Sequence, residues 1–170
     1  IFNPQYRYTY KTIGSFGHPV PLVADSCQQP GAQARSKTIH TDFTSEKDDI
    51  TLDIASAYHV PGLKKLNRTM VYSRQDNGSV TFTDLFEFAQ PGNFETAIST
   101  RSEWKQTSGN TLLLTRGNEK MLVTFSSPGN QLLLKSEKIS EGGTRYTRIG
   151  ISVSKALTAG QNIITYKPQN

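Results

Sequence analysis

Hydrophobic and polar residues alternate along most of this 170-residue chain, and helical spacing is almost absent. In the stretch "DITLDIASAY", for example, Ile50, Leu52 and Ile54 alternate with Thr51 and Asp53. Successive side chains of a strand point to opposite faces, so this period of two predicts strands that each bury one face. The stretch "RYTYKT" near the start, with Tyr6, Tyr8 and Tyr10 in alternation, also predicts a strand.

The clearest local signal is the pair Asn77-Gly78 within "RTMVYSRQDNGSVTFTDLFEF". Asn and Gly tolerate the positive φ angles of a two-residue turn, so this pair predicts a tight hairpin. The second strand of the hairpin places Asp84 on an otherwise apolar face. A buried carboxylate needs a partner, and we expect Arg68 or Arg74 on the first strand to provide it. The apolar residues on that face are Val80, Phe82, Phe86 and Phe88.

Further strand patterns follow at a nearly constant spacing and are separated by turn signals such as "SPGN" and "EGG". Together they predict an all-β fold, an antiparallel β-sandwich of about ten to twelve strands with little or no helix. We interpret residues 1–170 as one domain and residues 24–37 as a long exposed loop. The predicted strands are "SKTIHTDFT", "FETAIST", "TLLLTR", "KMLVTFSS", "QLLLKSEKI", "RYTRIGISVSK" and "NIITYK".

The charge balance favours an anionic partner. The chain has 19 Lys and Arg residues against 14 Asp and Glu residues, a net charge of +5. Nucleic acid fits poorly as that partner, because the cations are scattered and no zinc-finger or RNA-recognition signature accompanies them. A sulfated or carboxylated polysaccharide suits thinly spread positive charge better. We expect no membrane partner, since no apolar run approaches the ~20 residues of a spanning helix.

Residues with catalytic or metal-binding chemistry are present but not grouped in any known motif. The histidines His18, His40 and His59 are widely spaced and show no zinc-ligand pattern, and the single cysteine, Cys27, has no base beside it. No nucleophile elbow, P-loop or dinucleotide fingerprint occurs. We therefore predict no catalytic residue in this chain, and we interpret the acids of "EKDDITLD" as a solvated edge.

An aromatic residue between two cations is the best candidate for contact with a sugar. Trp104 in "RSEWKQT" follows Arg101 and precedes Lys105. An indole ring can stack on a pyranose while the cations bind anionic groups, so these three residues are the candidate substrate-binding set. The competing interpretation is that Trp104 fills the core.

Three ordered segments resemble one protein family. They are "SFGHPVPLVAD" with "QQPGAQA", the stretch from "TDFTSEKDD" through the hairpin to "TDLFEF", and "FETAIST". In this order they are similar to the C-terminal β-sandwich of the heparinase II/III-like polysaccharide lyases. The resemblance covers residues 15–100, and the later strands are compatible with it.

The resemblance implies a chain that is part of a larger lyase. Such enzymes pair a helical α/α-toroid domain with the sandwich and cleave uronate-containing glycosaminoglycans, such as heparin and heparan sulfate, by β-elimination. A base removes the proton α to the uronate carboxyl group, and a tyrosine or histidine protonates the leaving oxygen. The start "IFNPQY" has no methionine or signal peptide, which agrees with a processed or excised piece. The expected partners are an acidic polysaccharide and the helical domain, and the expected location is secreted or periplasmic.

His18 is the residue that the resemblance connects with a metal. Its position is similar to the last ligand of the family's structural metal site, zinc or calcium, whose other ligands would lie outside this chain. We therefore expect no metal bound to this fragment alone. The competing interpretation is a loop histidine beside Pro19.

Two other functions remain open from the residues alone. The chain could be a free-standing carbohydrate-binding module, with Trp104 or the tyrosines of "YRYTY" as a stacking platform. It could also be an interaction scaffold, because sandwich folds support many unrelated functions.

Overall fold

The computed structural model describes residues 7–169, which form two antiparallel sheets packed face to face. The described residues contain twelve strands, three short 3-10 turns and no α-helix, which confirms the predicted all-β sandwich. The 3-10 turns are Arg7–Thr9, Ser15–Gly17 and Ala55–Ala57. The strands are β1 (Leu22–Val23), β2 (Lys37–Phe43), β3 (Lys47–Asp53), β4 (Leu63–Ser73), β5 (Ser79–Gly92), β6 (Phe94–Thr100), β7 (Glu103–Ser108), β8 (Thr111–Arg116), β9 (Glu119–Ser126), β10 (Leu132–Glu141), β11 (Thr144–Val153) and β12 (Leu157–Gln169).

The two sheets differ in width. The small sheet has the order β1-β6-β11-β10, and the large sheet has the order β2-β3-β4-β5-β12-β9-β8-β7. Strand alternation buries one face of each, as at Phe86 of β5 and Phe94 of β6, whose rings stack with centroids 4.0 Å apart. Because four strands face eight, part of the inner face of the large sheet has no covering strand.

The hairpin between β4 and β5 is confirmed, but its turn is longer than predicted. Ser73 pairs with Ser79, which leaves five residues in the turn rather than two. Asn77 and Gly78 do adopt positive φ angles of 70° and 85°, and Asp76 adopts one of 49°. The Gly78 amide donates to the Gln75 carbonyl, and this bond completes a backbone turn directly before β5 begins at Ser79.

The predicted strand at "RYTYKT" is wrong. Within residues 7–14 the chain forms the 3-10 turn Arg7–Thr9 and then a second turn, in which the Tyr10 carbonyl accepts from the amides of Ile13 and Gly14. The amides of Ile13 and Gly14 thus find their hydrogen-bond acceptor within the turn and not in a neighbouring strand. Tyr6 lies outside the described residues.

Other departures from the predicted strands are smaller. The strand pattern of "DITLDIASAY" ends at Asp53, where the carboxylate accepts from the Ala55 amide and begins the 3-10 turn Ala55–Ala57. Edge strand β7 was not predicted as a separate element. The loop at residues 24–36 is largely exposed as expected, although Ala34 packs against the core.

An ion pair between Arg68 and Asp84 lies inside the sandwich and confirms the predicted partner. These residues face each other across β4 and β5, with Nε to Oδ1 at 2.7 Å and a second nitrogen to Oδ2 at 2.8 Å. Thr96 of the small sheet donates to the same carboxylate at 3.0 Å. Burial tends to lower the pKa of Arg68, but Asp84 outweighs that effect and the pKa is raised, so the pair stays charged. Arg74, the other candidate, pairs with Asp48 instead.

Residues 7–21, here called the N-terminal segment, cover the outer face of the small sheet. Phe16 lies over the guanidinium of buried Arg148 at 4.3 Å, and Arg148 pairs with Glu95 beneath the segment at 2.7 Å. Lys11 bonds to Glu137, and the Thr12 amide donates to Glu141.

Gly17 sits where the N-terminal segment comes closest to the small sheet. A methyl group at this position would overlap the Lys11 carbonyl oxygen and the Tyr146 hydroxyl. The Gly17 carbonyl also accepts from the Ser99 hydroxyl at 3.0 Å. The missing side chain therefore permits the contact that fixes this part of the segment.

Two prolines explain why β1 is only two residues long. The segment passes β6 at Pro19, Val20 and Pro21, and proline has no amide hydrogen for a ladder. Instead the Pro21 carbonyl accepts from the Tyr58 hydroxyl at 2.8 Å, and the Pro19 carbonyl accepts from Arg68 at 2.8 Å. Burial raises the pKa of Tyr58 well above its usual range, so its hydroxyl remains a donor. A mostly apolar slot of about 310 Å³ lies beside the segment, between β6 and the large sheet.

Replacing Asp84 by Asn should destabilise the protein by about 3 kcal/mol, because it leaves a buried guanidinium without its counter-charge. Thermal and urea unfolding would measure the loss. The matched control is Asp48→Asn, which breaks the exposed pair with Arg74 and should leave Tm nearly unchanged. Equal losses in the two variants would contradict a structural role for the inner pair.

Replacing Gly17 by Ala should cost about 2 kcal/mol and loosen the N-terminal segment, because a well-packed contact has to open. Hydrogen exchange should increase at residues 11–18 as Tm falls. Gly109→Ala is the control, since nothing lies within 4 Å of the added methyl group there. Indistinguishable exchange in the two variants would show that the segment tolerates the extra atom.

Candidate functional site

His18 lies at the surface where the N-terminal segment leaves the small sheet. Its amide caps the 3-10 turn Ser15–Gly17 by donating to the Ser15 carbonyl at 3.1 Å, and its side chain is exposed. The flanking carbonyls of Gly17 and Pro19 are held by Ser99 and Arg68. The fold thus presents His18 on a fixed backbone.

Clefts open on both sides of His18. On one side is a cleft of about 490 Å³ with mostly neutral polar walls, including Gln28, Gln29 and Tyr8, and one cation, Arg35. On the other side is a cleft of about 320 Å³ between the N-terminal segment and the ends of β6 and β11. Arg101 lines this second cleft together with His18, so the structure brings two of the predicted site residues together.

A third cleft of about 370 Å³ lies next to the second, at the tip of the small sheet. The two share Thr100, Arg101 and Tyr146, and we call their union the basic groove. The His, Lys and Arg residues in its lining are His18, Arg101, Lys138 and Arg145. Among the described residues, no Asp or Glu lines the basic groove.

Tyr146 lines both clefts of the basic groove. Burial raises the pKa of its hydroxyl, Glu141 raises it further, and Arg148 opposes both. The hydroxyl therefore stays protonated at neutral pH and can donate to an anionic ligand. Hydroxyl groups of Ser99, Thr100, Ser102, Ser140, Thr144 and Thr147 line the remaining walls.

Trp104 and Lys105 lie away from the basic groove. Trp104 is half-buried on β7, opposite Leu114, and packs against the core cluster of the two sheets. Lys105 follows it in the strand and is exposed, so its side chain points to the opposite face of the large sheet. Of the candidate substrate-binding set, only Arg101 lines the clefts beside His18.

The described residues do not form a metal site by themselves. Within residues 7–169, no three His, Cys, Asp or Glu side chains come together in a way that could hold an ion. The clefts beside His18 contribute amides, hydroxyls and cations rather than further ligands of that kind. His40 and His59 are exposed elsewhere on the surface.

Sequence reasoning missed Lys138, Arg145 and Tyr146. A signal for them exists, because Gly142-Gly143 lies between the two stretches and predicts a turn. Pairing across that turn sets Ser140 opposite Arg145 and Lys138 opposite Thr147, on one face of β10 and β11. That the end of β6 adjoins this face follows only from the order of strands in the small sheet.

No family model and no curated protein matches the sequence. Solved structures do match the fold. Heparan sulfate lyase HepC from Pedobacter heparinus aligns with TM-score 0.72 and 11% identity over 90% of this chain. A heparinase III gene product, BT4657, aligns with TM-score 0.70 and 16% identity over 89%, and another heparinase III with TM-score 0.70 and 13% identity over 93%.

The chain spans about a quarter of each matched structure, 24% of its length. At these identities the likeness establishes the architecture. It confirms, for the fold, the resemblance to heparinases that the sequence segments indicate. The chain therefore has a heparinase-like β-sandwich fold.

Proposed function

We propose that this chain is the β-sandwich part of a heparinase II/III-like polysaccharide lyase, and that it forms one wall of the substrate cleft without carrying the catalytic groups. The substrate class is a uronate-containing glycosaminoglycan such as heparin or heparan sulfate. The observation that carries the proposal is the basic groove, a cleft without carboxylates on a heparinase-like fold.

The groove supplies binding rather than proton transfer. β-Elimination needs a base for the proton α to the carboxyl group and an acid for the leaving oxygen. The groove offers the cations Arg101, Lys138 and Arg145, of which Arg101 can bind a carboxylate in a bidentate manner, and neutral hydroxyl donors. We assign its one imidazole, His18, to metal binding rather than to proton transfer. Such contacts hold the polymer in register with catalytic groups on another domain and lower the entropic cost of the reaction.

An exposed apolar surface supports the presence of a neighbouring domain, for which we propose the family's helical domain. Phe43, Met70 and Tyr72 are 62%, 38% and 42% exposed. Strand pairing puts all three on the inner face of the large sheet, where the small sheet does not reach. Exposed apolar side chains on an uncovered sheet face are candidates for contact with a neighbouring domain.

For His18 we propose a role as one ligand of a metal site that residues outside this chain complete. Its exposure at the junction of two clefts makes the imidazole accessible to a neighbouring domain.

We also propose a secreted or periplasmic location, in keeping with a polysaccharide substrate. Within residues 7–169, no helix is long and apolar enough to cross a membrane.

The alternative function is a free-standing carbohydrate-binding module. The observation that favours it is the exposure of Tyr8 and Tyr10, at 53% and 45%, on the N-terminal segment. Half-burial of Trp104 against the core weighs against the predicted stacking platform. A module of this kind would bind neutral and acidic chains alike through its rings.

We expect the isolated chain to bind heparan sulfate and other uronate polymers without cleaving them. Affinity electrophoresis should show retardation by a uronate polymer but not by neutral dextran, and the absorbance of the unsaturated product should not rise. Retardation by dextran would favour the carbohydrate-binding module. Product formed by this chain alone would contradict the assignment of catalysis to another domain.

We expect the isolated chain to bind no stoichiometric zinc, because His18 offers one ligand where a structural zinc ion takes four. Equilibrium dialysis followed by metal analysis would measure this, with His18→Ala as the matched variant. A tightly bound ion that is lost in His18→Ala would show that residues of this chain complete the site.

A further inference from the structure

Three cations from three different elements meet at the tip of the small sheet. Arg101 follows β6, Lys138 lies on β10 and Arg145 lies at the start of β11. All three side chains are exposed and line the same cleft of about 370 Å³. This tip cleft is the outer part of the basic groove.

Strand register explains why these cations converge. Thr100 of β6 pairs with Thr147 of β11, and Thr147 pairs with Lys138 of β10, so the three form one row across the sheet. Arg145 lies two residues before Thr147 and points to the same face. Arg101 directly follows Thr100. The ladder therefore fixes Lys138 and Arg145 on one face, and Arg101 lies in the bend that directly follows β6.

Among the described residues, the tip cleft is distinguished by three unpaired cations in one lining, whereas the ion-paired cations lie elsewhere. Lys11, Lys47, Arg68, Arg74, Arg148 and Lys167 each form an ion pair with a carboxylate. Within residues 7–169, Arg101, Lys138 and Arg145 form none, and the tip cleft has no Asp or Glu in its lining. Like charges held close together without a partner repel one another, which an anionic ligand relieves.

We propose that the tip cleft is a subsite for a sulfate ester of the polysaccharide. The inference rests on the proposed function and specifies which group of the polymer this part of the groove binds. A sulfate ester presents three terminal oxygens in three directions, which suits donors arriving from three separate elements. A carboxylate presents two oxygens in one plane and is satisfied by a single arginine.

The remaining lining fits the rest of such a ligand. Hydroxyls of Thr100, Ser102, Ser140, Tyr146 and Thr147 surround the cations and match the hydroxyl groups of a sugar ring. The cleft volume falls within the range of small-ligand sites, roughly 300–1,000 Å³. The cleft beside His18 adjoins this one, since Arg101 and Tyr146 line both.

The test compares two ligands with the same carboxylates, one sulfated and one without sulfate. Isothermal titration of the 170-residue chain would use a heparin hexasaccharide and the same hexasaccharide after complete desulfation and N-acetylation, which keeps every carboxylate. We expect the sulfated ligand to bind at least about ten-fold more tightly. Equal affinities would overturn the sulfate subsite while leaving the uronate-binding groove in place, and no binding of either ligand would overturn both.

A charge-matched pair of variants locates the effect. The combined variant Arg101→Gln, Lys138→Gln and Arg145→Gln should lose about 100-fold in affinity for the sulfated hexasaccharide, with little change in Tm because all three side chains are exposed. The control, Arg116→Gln, Lys120→Gln and Lys155→Gln, removes the same charge at exposed positions outside the groove and should lose no more than about three-fold. Equal losses in the two variants would show that net charge alone attracts the ligand and would overturn the subsite.

Discussion

The pairing of Arg68 with Asp84 is the interaction on which the arrangement of this protein depends. The carboxylate accepts from Arg68 in the large sheet and from Thr96 in the small one, so a single buried group connects both layers. The same guanidinium reaches the Pro19 carbonyl next to His18. Packing of the core and placement of the surface cleft therefore share one side chain. Because a charge in a low-dielectric interior needs its partner, the fold admits few other arrangements at this point.

A second buried pair, Arg148 with Glu95, lies on the outer face of the small sheet and holds the N-terminal segment there. It lies beneath Phe16 and is closed from solvent by the N-terminal segment. Two of the nitrogens of Arg148 have no hydrogen-bond partner among the described residues, and the carboxylate of Glu95 and the aromatic face of Phe16 stabilise the guanidinium together. The N-terminal segment is thus part of the folded body, and the walls of the clefts beside His18 depend on it.

Most of the fold could be predicted from the sequence, because alternation reports burial directly. The residues of "FETAIST" and "TLLLTR" coincide with β6 and β8, and Asp84 on an apolar face required a partner. The error at "RYTYKT" has a physical cause: alternation shows that a stretch could pair, but not whether a strand lies beside it. The site was harder to predict. His18 and Arg101 are distant in sequence, and Lys138 and Arg145 join them only through the order β6-β11-β10.

Pro19 and Pro21 shape the surface because their backbone nitrogens cannot donate hydrogen bonds. With ordinary amides at these positions, β1 could extend along β6 beside the 310 Å³ slot. His18 would then become a residue of a regular edge strand, and its side chain direction would be dictated by the pleat. Two missing hydrogens keep the backbone irregular here. The cleft entrance therefore depends on an interrupted ladder. Without these prolines the chain would gain a longer β1 and lose the accessible imidazole of His18.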